Sequence, residues 1–176
     1  MERGMSISQF IISVLTIAMS GVIATAVTYF LNTRRDERRF RRQRLEETFV
    51  AFRAFCNLLG VLWVGLTNVM TGKLDYNQAL DLEIARGKDE AGSFAKLEML
   101  ITLYYPEFTK LFDRLLDLRS RGNEVLGTHK RRYLAGHVVD KESLDALCTV
   151  IKSLEDLEKE FAIAARGAVK PLLGAG

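Results

Sequence analysis

Four residues separate Arg132 from His137, and five separate Arg131 from the same histidine. An imidazole can move a proton at a ribose 2′-hydroxyl while a guanidinium neutralises phosphate charge, so this pairing could support RNA cleavage. The spacing is a weak signal. Arg makes up 16 of the 176 residues, so three permitted spacings give each His roughly a one-in-four chance match. The stretch from Gly127 to Val139 also has the least apolar periodicity in the chain. It reads as a solvated basic loop carrying His129, Lys130, Arg131, Arg132 and His137. No catalytic residue is assigned, and Arg131, Arg132 and His137 remain the candidates.

Other chemistry is sparse. There is no Gly-rich phosphate loop, no Ser nucleophile elbow and no Cys/His metal spacing, so no metal site and no cofactor are expected. The 2 Cys and 2 His are too few for a disulfide framework or a structural zinc. Cys56 and Cys148 fall on apolar helical faces and read as buried, inert core residues. Asp75, Asp81, Glu83, Asp89 and Glu90 read as solvated surface and not as a cation site.

The elements around these residues are more legible. Hydrophobic residues are 48% and charged residues 27%, with Pro 2 and Gly 13. That balance excludes a disordered chain, a polytopic membrane protein and a collagen-like repeat. No charge occurs between Gly4 and Thr33, and Phe10 to Leu31 is a run of 22 mostly apolar residues. About 20 helical residues cross a hydrocarbon core roughly 30 Å thick, and Tyr29 and Phe30 suit its interface. Ala24-Thr25-Ala26 has the form of a signal-peptide cleavage site. However, the apolar run continues past it, and the charge before it is nearly balanced.

Arg34, Arg35, Arg38, Arg39, Arg41, Arg42 and Arg44 follow at once, a stop-transfer signal. Positive flanks stay in the cytoplasm, which predicts a single pass, N-terminus out, with the C-terminal body cytoplasmic. Against Asp36 and Glu37 these Arg leave a surplus of five positive charges, whereas the whole chain carries a net +3. The body is therefore mildly acidic. Such a stretch binds anionic lipid head groups at about 1 kcal/mol per Arg near the surface; nucleic acid is not the expected partner.

Two patterns point to self-association. Thr16, Ser20, Ala24 and Thr28 recur every four residues and would line one stripe of a membrane helix, where small residues allow close packing. Leu45, Phe49, Phe52, Cys56, Leu59, Trp63, Leu66 and Met70 then alternate spacings of four and three. That is a heptad seam, and it predicts one long helix leaving the membrane and running to about Thr71. Of these, Leu45, Phe49, Phe52, Leu59, Trp63 and Leu66 are the expected oligomerisation residues of this helix. A competing reading makes 54–71 a short second span, which Asn57, Asn68, Gly60 and Gly65 oppose.

Beyond a break at Gly72-Lys73, Asp75 reads as the N-cap of a short helix to about Ala85, closed by Arg86-Gly87-Lys88. A helix from about Asp89 to Tyr104 follows, and Pro106 opens another that should fade near Gly127. Asp140 caps a last helix with the face Leu144, Leu147, Ile151, Leu154, Leu157, Phe161 and Ala164. Pro171, Gly174 and Gly176 mark a frayed end. The fold class is all-α: a membrane anchor (1–33), a basic juxtamembrane and long amphipathic helix (34–72) and a helical bundle (73–176).

This order of features resembles small bacterial membrane proteins with one N-terminal span, a basic juxtamembrane helix and an all-helical cytosolic domain. Several carry a segment similar to Met99-Leu100-Ile101-Thr102-Leu103-Tyr104-Tyr105-Pro106-Glu107-Phe108. In form the chain is similar to the small HEPN-like pore proteins that accompany type VI-B CRISPR systems, and Arg132…His137 matches the HEPN Arg–His pattern. Tyr133 departs from that pattern, which usually has a polar residue there. The resemblance implies a homo-oligomeric, non-enzymatic protein of the bacterial inner membrane that perturbs or permeabilises the bilayer in antiviral defence, with a defence-system protein as a further partner. The alternatives are a membrane-tethered HEPN-like ribonuclease and a membrane adaptor or scaffold.

Overall fold

The structure is a computed structural model that describes residues 7–79, 81 and 92–173. The fold is all-α, with no strand among the described residues. Helix α1 is Ile7–Met70, α2 is Ser93–Tyr104, a short 3-10 turn is Pro106–Phe108, α3 is Thr109–Leu134 and α4 is Lys141–Leu173. The chain divides into two units, Met1–Arg41 and Arg42–Gly176.

The first unit contains the N-terminal part of α1. Its large apolar side chains from Met19 to Leu31 are all at least half exposed, from Val27 at 52% to Tyr29 at 74%. Thr25 and Thr33 return their hydroxyls to the carbonyls of Gly21 and Tyr29 at 2.8 and 2.9 Å, which removes two donors from an otherwise apolar surface. The side chains of 10–18, Thr16 among them, and of Ser20 lie outside the described residues; Ala24 and Thr28 are exposed. Among the described residues one helix, Gly21–Met70, is long and apolar enough to cross a membrane, but 39% of its apolar stretch is buried, which places that stretch in the second unit and not between Met19 and Leu31, where every described side chain is exposed.

The second unit has an apolar core built on the C-terminal part of α1. Phe52 stacks on Phe161 of α4 with centroids 3.8 Å apart, and Phe108 tilts onto the same ring at 4.9 Å. Phe94 bridges Phe55 at 5.2 Å and Phe112 at 5.9 Å. Leu97, Leu100 and Ile101 of α2, Leu115 of α3, and Leu147 and Leu157 of α4 complete the interior, each nearly or wholly buried. Full burial of one such side chain contributes about 1.5–3 kcal/mol. Trp63 lies against Gly122, where a Cβ would fall 2.6 Å from Cε2 of the indole. The glycine in the middle of α3 is there because the ring needs its space.

Leu45, Phe52, Cys56, Leu59, Trp63, Leu66 and Met70 are buried within this unit and Phe49 is partly buried. This corrects the expectation that Leu45, Phe52, Leu59, Trp63 and Leu66 meet another copy: those side chains are already covered by the chain's own helices. The same packing accounts for the apolar stretch 54–71 without a second span.

Several boundaries also differ from the sequence reading. Helix α3 does not fade near Gly127 but continues to Leu134, because His129 is fully buried and Val125 and Leu126 pack on the core. Cys148 is exposed, not buried, since the buried face of α4 centres on Val150 and Leu154 and Cys148 turns away from it. Helix α4 runs through Pro171 to Leu173, although proline there cannot donate to the carbonyl four residues back. Asp75 does cap a helical turn. Its carboxylate accepts the Gln78 N–H at 2.8 Å and its own N–H donates to Gln78 Oε1 at 3.1 Å, a reciprocal capping box. The end of that helix, Glu83, Asp89, Glu90, and Gly174 and Gly176 lie outside the described residues.

Candidate functional site: a buried histidine–aspartate–arginine cluster

Both long helices that lead to this site end in the same way. Gly72 and Gly136 have positive φ, 73° and 92°, the left-handed conformation that glycine adopts without strain. After α1, Gly72 N–H donates to Val69 O at 2.9 Å and Lys73 N–H to Asn68 O at 2.9 Å. After α3, Gly136 N–H donates to Tyr133 O and His137 N–H to Arg132 O, both at 3.0 Å. Each is a Schellman motif, which satisfies the last carbonyls of a helix through a donor five residues on. The separation of Arg132 and His137 is thus the span of a helix cap, and their bond is a backbone one. His137 itself is exposed, and Arg131 is exposed and donates to Thr128 Oγ1 at 3.2 Å.

Arg132 turns elsewhere. Its guanidinium donates to Asp140 Oδ1 at 2.9 Å and pairs with Glu142 Oε2 at 2.8 Å. These carboxylates raise its pKa, the Glu142 hydrogen bond most. Asp140, 6% exposed, is the hub. Its backbone N–H donates to Met70 O at 3.0 Å. Its carboxylate accepts the Ser143 N–H at 3.1 Å and the Ser143 hydroxyl at 2.7 Å, capping α4 as the sequence predicts. Burial pushes its carboxyl up, but the bonds from Ser143 and the Arg132 guanidinium outweigh that and hold it at about 2.

His129, on α3, completes the cluster and was not singled out by sequence reasoning. Its Nδ1 lies 3.5 Å from Asp140 Oδ2, long for a hydrogen bond, and neither ring nitrogen has a hydrogen-bond partner among the described residues. The rings of Tyr76 and Tyr133 flank it at 6.5 and 6.1 Å, and Lys130 lies over Tyr76 at 5.8 Å. Histidine, aspartate and serine are the parts of a nucleophilic triad, but the connectivity is wrong: Ser143 bonds the aspartate and not the imidazole, and His129 has no exposed surface. The arrangement can clamp the end of α1 to the turn between α3 and α4. It cannot deliver a proton to a substrate from where it sits.

The second candidate surface is the Arg run. Arg41 pairs with Glu37 at 2.9 Å, Arg42 with Glu46 at 2.9 Å and Arg44 with Glu47 at 2.7 Å. Arg34 lies over the Phe30 ring at 4.3 Å, and Arg35, Arg38 and Arg39 are exposed. Asp36 and Glu37 lie within the run and Glu46 and Glu47 just beyond it, so acidic side chains moderate its charge at both ends. Exposed helical ion pairs contribute about 0.3–0.5 kcal/mol each, too little to hold an Arg away from a phosphate.

No group of three or more His, Cys, Asp or Glu among the described residues is arranged to hold a metal ion. No protein family, curated protein or solved structure matches the chain.

Proposed function

We propose that this is a membrane-tethered helical-bundle protein that works by self-assembly at a bilayer rather than by acting on a small substrate. The observation that carries the reading is the stretch from Met19 to Leu31, whose apolar side chains stay at least half exposed and are followed immediately by seven arginines. Exposed apolar surface on that scale calls for a covering phase, and the arginines supply the charge that faces anionic head groups. The positive flank orients the span with its N-terminus out and the bundle in the cytoplasm. Resemblance extends the proposal to a bacterial inner-membrane protein that perturbs or permeabilises the membrane in antiviral defence, together with a protein partner of that system.

Two measurements test it. A reporter fused after Gly176 is expected to be cytoplasmic, and a periplasmic signal overturns the topology. The full chain in mild detergent is expected to run as a large discrete assembly, and a monomeric mass overturns self-assembly.

A further inference from the structure

Helix α1 carries a second 4-3 seam on the side opposite its buried one. Val50, Ala54, Asn57, Val61, Val64 and Asn68 recur at spacings of four, three, four, three and four. Each of Val50, Asn57 and Val64 precedes a core residue by two positions (Phe52, Leu59 and Leu66) and so points about 200° away from it. The structure leaves this side open. Val50 is 65% exposed, Val61 42% and Val64 51%; Asn57 is exposed, and Ala54 and Asn68 are half-buried. Among the described residues, nothing beyond the helix's own adjacent backbone lies within 4 Å of where a Cβ on Gly60 would project, so a partner backbone could come close there. A helix in a single bundle needs one seam; α1 has two.

We propose that this outer seam is a contact that pairs copies of the chain within the assembly, as a parallel in-register coiled coil of α1 with α1. This rests on the self-assembly reading above and names its surface. The occupant follows from the seam's chemistry. A heptad stripe of valines fits another heptad stripe at the same spacing. Asn68 Nδ2 donates to Val64 O of its own helix at 3.3 Å; against an apolar partner helix the Asn57 amide and the Asn68 amide oxygen would still be left unpaired. In a parallel in-register pair, Asn57 meets Asn57 and Asn68 meets Asn68, and each amide can both donate and accept. Asparagine at such positions fixes register and partner at a cost in stability. The seam spans under three heptads, which is short for free chains. A shared membrane supplies the parallel orientation and the high effective concentration that a short seam needs.

The test is cross-linking in native membranes with a short bis-maleimide on full-length chain carrying Cys148→Ser, since Cys148 is exposed and Cys56 buried. Val64→Cys is expected to give a cross-linked dimer, and Glu124→Cys on the exposed side of α3 to give at least about tenfold less. Adding Val50→Glu to the Val64→Cys chain should lower the dimer about tenfold through like-charge repulsion. Because Val50 is outside the core, the thermal melt of the bundle should not move. Equal cross-linking at Val64→Cys and Glu124→Cys, from a chain that still runs as an assembly in mild detergent, overturns the seam and leaves self-assembly standing. A monomeric mass with no cross-link at either site overturns both.

Discussion

Helix α1 contains two apolar stretches that hydropathy alone treats alike. From Met19 to Leu31 the large apolar side chains are at least half exposed; from Phe52 to Met70 those of Phe52, Phe55, Cys56, Leu59, Trp63, Leu66, Val69 and Met70 are nearly all covered. The difference lies in what surrounds each stretch. The second has a 4-3 seam that three other helices fill; the first has apolar residues on every side and no described neighbour to bury them against. Composition signals that a surface must leave water, and only packing says whether the chain or its surroundings supply the cover.

The sharpest way to break this comparison is one charge in each stretch. Phe52→Glu puts a carboxylate opposite Phe161 in a site with no exposed surface, at a cost of several kcal/mol, comparable to the stability of a whole domain. The full chain in mild detergent should lose its cooperative helical melt by circular dichroism. Val22→Glu should leave that melt unchanged and instead reduce membrane retention on alkaline extraction, since a charge near the middle of a span costs about 2.5–3.5 kcal/mol of insertion. If Val22→Glu lowers the melt and Phe52→Glu only loosens membrane retention, the two stretches have been assigned in reverse.

A smaller effect separates two glycines of one helix. Gly122→Ala forces the Trp63 indole aside and should cost about 1–3 kcal/mol as overpacking. Gly127→Ala meets nothing within 4 Å and should stabilise by roughly 0.5–1 kcal/mol through helix propensity. Opposite signs in chemical denaturation bear out the close approach, and equal signs refute it.

Acid should weaken the second unit through Asp140. Its folded pKa of about 2 lies below the ordinary aspartate value of 3.8, so the stabilisation is present above about pH 4 and is lost as pH falls towards 2. Its size at neutral pH is about 2 kcal/mol. Asp140→Asn should remove that amount and flatten this part of the acid limb of a pH-dependent melt; an unchanged acid limb means the hub is not formed.

The smallest effect is expected at His137. His137→Ala keeps the backbone N–H that caps α3, so stability should stay within about 0.5 kcal/mol and any cellular phenotype should persist. RNA cleavage by the purified chain that disappears in this variant, with the fold intact, would sink the reading of Arg132 and His137 as a helix end.

The sequence carried much of this organisation and missed specific parts for physical reasons. The buried seam of α1, the break at Gly72, and the caps at Asp75 and Asp140 were legible because each is local: spacing, a flexible residue or a side chain bonding its own turn. The last two turns of α3 were not, since Lys130, Arg131 and Arg132 mask the periodicity and the one buried residue among them is a histidine. Nor could spacing reveal that Arg132 serves Asp140 rather than His137, because that choice depends on where α4 begins in space. Periodicity found a seam suited to self-association but could not say that the chain's own helices fill it.

Trp63 is the chain's single tryptophan. With its ring fully buried against Gly122 and its Nε1–H without a hydrogen-bond partner among the described residues, it sits where α1 meets α3. The protein therefore carries its own optical gauge of that junction. Its emission should be blue-shifted and poorly quenched by iodide while α1 and α3 stay together. It should redden as soon as they part, before any global loss of helix, so the opening of this one contact can be timed without a label.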